Sequence, residues 1–425
     1  MSFLYVSNVE KITSAILPLA RNILFTHLPF RLFSNLFSVT MLALLPRISS
    51  KIAQKCRCKI AEVILSTLLM VRKNNSGHLL INLRMIHLPK IFSILLSALL
   101  LASCITEDVP DNTPRGNFEL LWQTLDEHYC FFSYKKAAYG LDWDEVHGRY
   151  ASQVNDKLTG QQLFEVLSDL TRELRDGHVN LSSAMGTSRY GEWFDNHPMN
   201  YSDSIIRAYL GRTTDYTITS GLSYRILDDN IGYVRCPSFE NGFGSGNLHE
   251  MMRALALCDG LIVDVRSNGG GMLTSAEKLA SLFVNERTLA GYMCHKTGRG
   301  HDDFSSPKAI YLDPFEGLRW QKPVAVLTNR RTYSAANSFV MYLKGLPNVT
   351  IVGDQTGGGS GMPFVSELPN GWTLRFSACP MFNREMQHTE LGIAPDVAVD
   401  ITSEDYARSI DTIIEKARGV LRKGA

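Results

Sequence analysis

The chain has 425 residues, 45% of them apolar, with 32 Gly, 16 Pro and 8 Cys. This is enough for two or three domains and a full core, and it excludes a disordered chain, a collagen-like fibre and a disulfide-dense mini-protein. The net charge of +1 hides an asymmetry: residues 1–103 carry 12 Lys/Arg and 2 Asp/Glu, leaving 31 basic against 40 acidic side chains in 104–425, a surplus that removes the electrostatic basis for nucleic-acid binding.

Residues 1–84 are basic and apolar without a sustained period. They read either as upstream sequence from a mis-assigned start, with Met85 the true one, or as a membrane-interactive extension. Residues 85–103 read as a secretory signal: Lys90 precedes an apolar run from Ile91 to Leu101, the right length for a signal core and short for a bilayer span. Leu101-Ala-Ser-Cys104 resembles a bacterial lipobox, and the resemblance makes Cys104 the lipidated residue. A short transmembrane anchor ending in an incidental cysteine is the other reading. Residues 104–116 are polar and Pro-bearing, a tether. Five cysteines lie beyond it (Cys130, Cys236, Cys258, Cys294 and Cys379), an odd number without close pairs, which argues against a disulfide framework or a zinc site.

Residues 117–180 read as a small helical domain. Asn117 is positioned to cap a helix with Phe118, Leu121, Trp122, Leu125 and Tyr129 on one face, and Asp142 a second with Trp143, Val146 and Tyr150. Thr159-Gly-Gln-Gln162 is a capping-box pattern ahead of Leu163, Leu167, Leu170 and Leu174. Residues 181–221 show no strong period and read as a linker or cap. From Leu222 the pattern changes. Leu222–Leu227 and Ile231–Cys236 flank Asp228-Asp-Asn230 as a hairpin. Leu248–Leu257 predicts a helix and Gly260–Val265 a buried strand. Thr274 is expected to cap a helix running through Phe283. A buried strand at Pro323–Thr328 is followed by a helix from Ser334 to Leu343, then strands at Val349–Val352 and Thr373–Ala378. This alternation predicts an α/β layer fold over 222–402, with a C-terminal helix in 403–425.

Three segments follow strand or helix ends, where an open α/β sheet presents reactive groups. In Leu261-Ile-Val-Asp-Val-Arg-Ser-Asn-Gly-Gly-Gly271 the glycines can leave backbone N–H groups free for an oxyanion or phosphate, or simply make a tight turn. The run lacks the spacing and lysine of a P-loop. In Val324-Ala-Val-Leu-Thr-Asn-Arg-Arg-Thr-Tyr-Ser334 the serine falls at a strand-to-helix junction, placed either as a nucleophile or as a plain N-cap. In Leu174-Arg-Asp-Gly-His178 the histidine follows a helix end, and a serine nucleophile needs such a base at neutral pH. A structural histidine is the competing reading.

These segments, together with Val352-Gly-Asp-Gln-Thr-Gly-Gly358 and Leu391-Gly-Ile-Ala-Pro-Asp396, resemble in order and spacing the motifs of the C-terminal processing peptidases, which include tail-specific proteases, the tricorn protease core and retinoid-binding relatives. The resemblance spans about 116–402 and implies a crotonase-like catalytic fold of ββα units. It implies Ser334 as nucleophile, with oxyanion donors at the Ala335 amide and at Gly269 or Gly270. Tail-specific members use a Ser–Lys dyad, but Gly359 stands at the lysine position. The tricorn-like branch uses a histidine from the helical region, which His178 matches, and a glutamate matched best by Glu390, placed to orient it. That branch's serine before the histidine is Gly177 here.

The expectation is therefore a cell-envelope serine endopeptidase, lipid-anchored at Cys104, acting on polypeptides. It requires no metal or organic cofactor, and its activity should rise through about pH 6–7 with a histidine titration. His388, near Glu390, is the next candidate base. The rival is a catalytically inactive binding protein of the same fold that holds apolar ligands or peptides.

Overall fold

The computed structural model describes residues 111–423. The proposed start at Met85, the signal segment, Cys104 and most of the tether lie outside the described residues.

Four helices open the described chain: α1 (Pro114–His128), α2 (Phe132–Tyr139), α3 (Trp143–Ala151) and α4 (Gly160–Arg172). The α1 cap is Thr113, whose hydroxyl accepts from Gly116 N, and Pro114 fills the first turn, where its missing N–H costs nothing. Asn117, expected as that cap, is already one turn inside. Asp142 caps α3, and Thr159 with Gln162 closes the capping box on α4. These helices do not close a core alone. Leu121, Leu125, Trp143, Leu167 and Leu170 share one apolar cluster with Leu368, Leu374 and Phe376 from late in the chain.

Residues 181–221 hold more order than their lack of period indicates: β1 (Asn180–Ser183), β2 (Gly186–Arg189), the single turn α5 (Glu192–Asp195), α6 (Asp203–Leu210) and β3 (Thr217–Thr219). There follow β4 (Leu222–Ile226), β5 (Ile231–Arg235), α7 (Ser245–Leu255), β6 (Gly260–Asp264), α8 (Leu273–Ala280), β7 (Thr288–Met293) and β8 (Lys308–Leu312). The last elements are β9 (Val324–Thr328), α9 (Ala335–Leu343), β10 (Val349–Gly353), β11 (Gly361–Glu367), β12 (Thr373–Phe382), β13 (Val397–Ala398), α10 (Ser403–Ala407) and α11 (Thr412–Lys423). Thr274, expected as a cap, lies inside α8, whose N-cap position is Met272 without a side-chain bond.

One seven-stranded sheet runs β13-β10-β9-β6-β5-β4-β3. Its strands from β13 to β5 are parallel, and the β4–β5 hairpin and β3 add an antiparallel edge. Period-2 alternation sorts its side chains: Leu261, Val263, Val324 and Val326 pack under α7, α8 and α9, while Ile262, Ala325 and Leu327 meet Ile413, Ile414 and Ala417 of α11 on the opposite face. The second sheet runs β2-β1-β12-β7-β8, with β11 also on β12. The carboxyl ends of neighbouring β6 and β9, with Asp264 opposite Leu327, bring the glycine run and Ser334 side by side. Fully buried Arg266, just past β6, bridges Asp264 at 2.7 Å and Asp411 at 2.9 Å, tying this end of the sheet to the start of α11. The fold is the expected α/β class with a helical N-terminal region. Among the described residues no helix is long and apolar enough to cross a membrane.

Candidate active site

The turn carrying Ser334 is laced to its neighbours on both sides. Thr332 Oγ1 donates to Val265 O at 2.9 Å, Tyr333 N donates to Asn268 O at 3.0 Å, and Ser334 N donates to Gly358 O at 2.9 Å. These bonds hold Ser334 at φ 56°, ψ −123°, a conformation that costs a non-glycine residue about 1–3 kcal/mol and persists only where its surroundings impose it. Ser334 stands at the N-cap position of α9, yet its side chain makes no capping bond. Its Oγ lies 3.0 Å from His178 Nε2 instead.

The glycine turn packs directly under this serine. A side chain on Gly270 would come within 2.8 Å of Ser334 Cβ and Ala335 N. Its amide is not free: Gly270 N donates to Asn268 Oδ1 at 2.9 Å. Of the two glycines expected as oxyanion donors, Gly269 is therefore the one whose amide has no protein partner, and its α-carbon faces open space. The Ala335 amide, first in α9, is also unpartnered.

His178 is buried and held by its own loop. Asp176 Oδ1 accepts from His178 N at 2.7 Å, while Asp176 Oδ2 accepts from Tyr129 Oη at 3.0 Å and Ser377 Oγ at 2.8 Å. Burial alone would raise the Asp176 carboxyl, but Lys135, His178 and these hydrogen bonds bring it below the ordinary value. For His178 burial dominates, and the nearby Asp176 charge only partly offsets it, leaving the imidazole near pKa 4. Its Nδ1 is buried beside the Gly361 backbone, and Tyr333 meets the ring edge-on at 5.0 Å.

Glu390 makes no hydrogen bond to His178, the ring it is expected to orient. Its Oε1 lies 3.2 Å from Lys135 Nζ and its Oε2 accepts from Ser360 N at 3.0 Å. Both carboxylate oxygens are thus claimed by other donors. Lys135 reaches in from α2, is fully buried, and also donates to Arg175 O at 3.0 Å. Burial and the Asp176 charge outweigh Lys135 and raise the Glu390 carboxyl to about 8. Glu390 therefore anchors the segment Gly358–Gly361, which accepts the Ser334 amide at one end and lies beside His178 at the other.

The sequence alone gives no role to Lys135 or Asp176. Asp176 lies inside the Asp-Gly-His segment. Lys135 stands three and four residues after Phe132 and Phe131, on their apolar face, and that spacing was its only signal. The Ser–Lys departure also has a steric cause: Gly359 sits at φ +74°, and a side chain there would run into the Tyr333 ring. His388 lies apart, its ring among Tyr134 at 4.3 Å, Phe382 at 4.5 Å and Phe131 at 5.7 Å. The five cysteines are free and buried. Among the described residues no group of three or more His, Cys, Asp or Glu is arranged to hold a metal ion.

Fold and comparison with known proteins put the chain among the serine-type peptidases. The family model "Peptidase family S41" matches residues 230–399, and "Tricorn protease C1 domain" matches 110–172. A solved structure described as a putative peptidase from Parabacteroides merdae is 50% identical and has a TM-score of 0.70, covering 73% of this chain and 97% of that one. The structure of mature CPAF shares the fold at 13% identity, with a TM-score of 0.55 over 73% of this chain and 96% of that one. A carboxyl-terminal-processing protease of Synechocystis sp. is 28% identical over 184 residues, 41% of this chain and 40% of that protein. The tricorn protease of Thermoplasma volcanium is 27% identical over 193 residues, 44% of this chain but 17% of that protein. The chain thus spans well under two thirds of these curated relatives. It belongs to peptidase family S41.

Proposed function

We propose that the protein is a serine endopeptidase of the bacterial cell envelope, carried on a lipid at Cys104, with Ser334 as nucleophile and His178 as base. The observation that carries the catalytic part is the 3.0 Å contact between His178 Nε2 and Ser334 Oγ, joining residues far apart in sequence at a strained strand–helix turn. The lipid anchor rests on the Leu101-Ala-Ser-Cys104 motif alone.

Near neutral pH His178 is unprotonated, so its Nε2 lone pair can take the Ser334 proton as Oγ attacks the peptide carbonyl. The carbonyl oxygen gains the negative charge and is received by the Ala335 and Gly269 amides. His178 returns the proton to the leaving nitrogen as the C–N bond breaks. A water, deprotonated by the same ring, then hydrolyses the Ser334 ester. Glu390 with Lys135, and Asp176 with Tyr129 and Ser377, act one layer back by fixing the backbone on either side of His178.

A peptide-tag-reading domain of about 80–90 residues does not fit between His178 and Leu222. Substrates are accordingly not chosen through a C-terminal tag bound there. The test is labelling by a fluorophosphonate probe, mapped to Ser334 and lost in Ser334→Ala, together with casein cleavage. A wild-type protein that neither labels nor cleaves is instead the binding protein of this fold.

A further inference from the structure

Three glycines beside the reacting pair lack a Cβ for a reason the catalytic steps do not use. A side chain on Gly177 would run into the six-membered ring of Trp193, and one on Gly357 would meet the Arg330 carbonyl oxygen and then, at 2.8 Å, the Trp193 Nε1. A side chain on Gly359 would run into Tyr333. Trp193 and Tyr333 are stacked, 5.0 Å between centroids and 17° between planes.

One indole thus touches three separate backbone segments at once. Gly177 precedes the base His178. Tyr333 precedes the nucleophile Ser334. Gly357 precedes Gly358, whose carbonyl receives the Ser334 amide. The helix that brings Trp193, α5, is a single turn with no buried residue and no side-chain cap, and within its own segment the ring meets only Tyr190 at 5.7 Å and Phe194 at 5.2 Å among aromatic side chains. Its Nε1 is buried without a hydrogen-bond partner, a desolvation cost accepted for the sake of shape.

We infer that Trp193 is a positioning residue for the Ser334–His178 pair, a wedge that sets the separation between the residue before the base and the residue before the nucleophile. Those residues stand 156 apart in sequence, in different loops. Proton transfer needs Oγ and Nε2 within hydrogen-bond reach, and a misplacement of about 1 Å can cost about a hundredfold in rate.

The inference rests on Ser334 being the nucleophile, so wild-type labelling at Ser334 by a fluorophosphonate probe is measured first. An unlabelled wild type overturns that reading and this inference with it. Given a labelled wild type, Trp193→Ala should label at least about tenfold more slowly and lose a similar factor in kcat on casein, with KM within about twofold. Trp193→Phe, which keeps a ring in place, should stay within about threefold of wild type. Gly177→Ala pushes on the same ring from the other side and should reproduce the loss alone, yet add little on top of Trp193→Ala. If Trp193→Ala does not fold, judged by circular dichroism, folded Gly177→Ala decides the matter. A folded Trp193→Ala or Gly177→Ala that labels at the wild-type rate overturns the inference. So does a change confined to KM, which would make Trp193 a wall of the substrate groove.

Discussion

Lys135 and Glu390 meet at 3.2 Å behind the histidine, both buried, although 255 residues separate them in the chain. The helical region and the segment carrying Glu390 are therefore joined by this buried hydrogen bond, an ion pair once Glu390 ionises at about pH 8, as well as by shared apolar packing. Breaking such a pair from one side strands a buried charge, which costs about 3–5 kcal/mol, whereas replacing both partners by neutral groups of similar volume is often close to neutral. Above about pH 8, where Glu390 is ionised, Lys135→Met should lose stability in that range in urea unfolding, and near neutral pH, where the carboxyl is mostly protonated, the loss should be smaller. Lys135→Met combined with Glu390→Gln should recover most of it. An additive double mutant would mean that the two side chains are not coupled.

Ser334 separates two roles in one residue. A hydroxyl that capped α9 would cost about 0.5–2 kcal/mol to remove. Here the hydroxyl makes no cap and the backbone is at positive φ. Ser334→Ala should leave the thermal midpoint almost unchanged, and Ser334→Gly should raise it, because glycine relieves the strain. Both should lose casein cleavage by several orders of magnitude. A Ser334→Ala protein that melts lower and still cleaves would return the residue to a capping role.

Much of this site was legible because its chemistry is local. The glycine run after a buried strand, the serine at a strand–helix junction and the Asp-Gly-His turn each announce themselves within about ten residues. What stayed hidden depends on long-range pairing. Ten-residue β12 pairs with β1, β11 and β7, and no period in its own sequence says so. Lys135 reads as an ordinary charged helical residue until Glu390 arrives from the far end of the chain. Glu390 was legible as a site residue but not in its contacts, since a motif match does not say which donors claim a carboxylate. Trp193 lies in a stretch without apolar periodicity, so its packing against Gly177 had no sequence signal at all.

The pH profile separates a solvated histidine from a buried one. An ordinary imidazole gives activity that rises near pH 6–7, as the sequence alone leads one to expect. Burial lowers His178 to about 4. The base form is the unprotonated one, so activity should rise as pH passes upward through about 4 and already be near its plateau at pH 6. His178→Ala should abolish fluorophosphonate labelling. His388→Ala should keep it, because that ring is packed among Phe131, Tyr134 and Phe382. The check is labelling rate against pH between about 3.5 and 8. A midpoint above 6 would show that water reaches His178 in the working enzyme.

Restoring the lysine of the Ser–Lys relatives should fail, for reasons visible at one residue. Gly359 occupies the lysine position, but it sits at φ +74° with the Tyr333 ring where its Cβ would be. Any side chain there pays twice, in backbone strain and in displaced Tyr333. Overpacking of this kind costs about 1–3 kcal/mol, with a further penalty of similar size for the left-handed backbone. Tyr333 is also the ring beside His178, so pushing it disturbs the base already in use. Gly359→Lys should therefore melt several degrees lower and lose activity rather than acquire a second base. Gly359→Ala isolates the steric part, because it adds a Cβ without an amine, and should show most of the same loss. Thermal melts and labelling rates of the two variants decide the matter. If Gly359→Lys labels as fast as wild type when His178→Ala is also present, the lysine has taken over as base and Tyr333 yields more readily than its packing indicates.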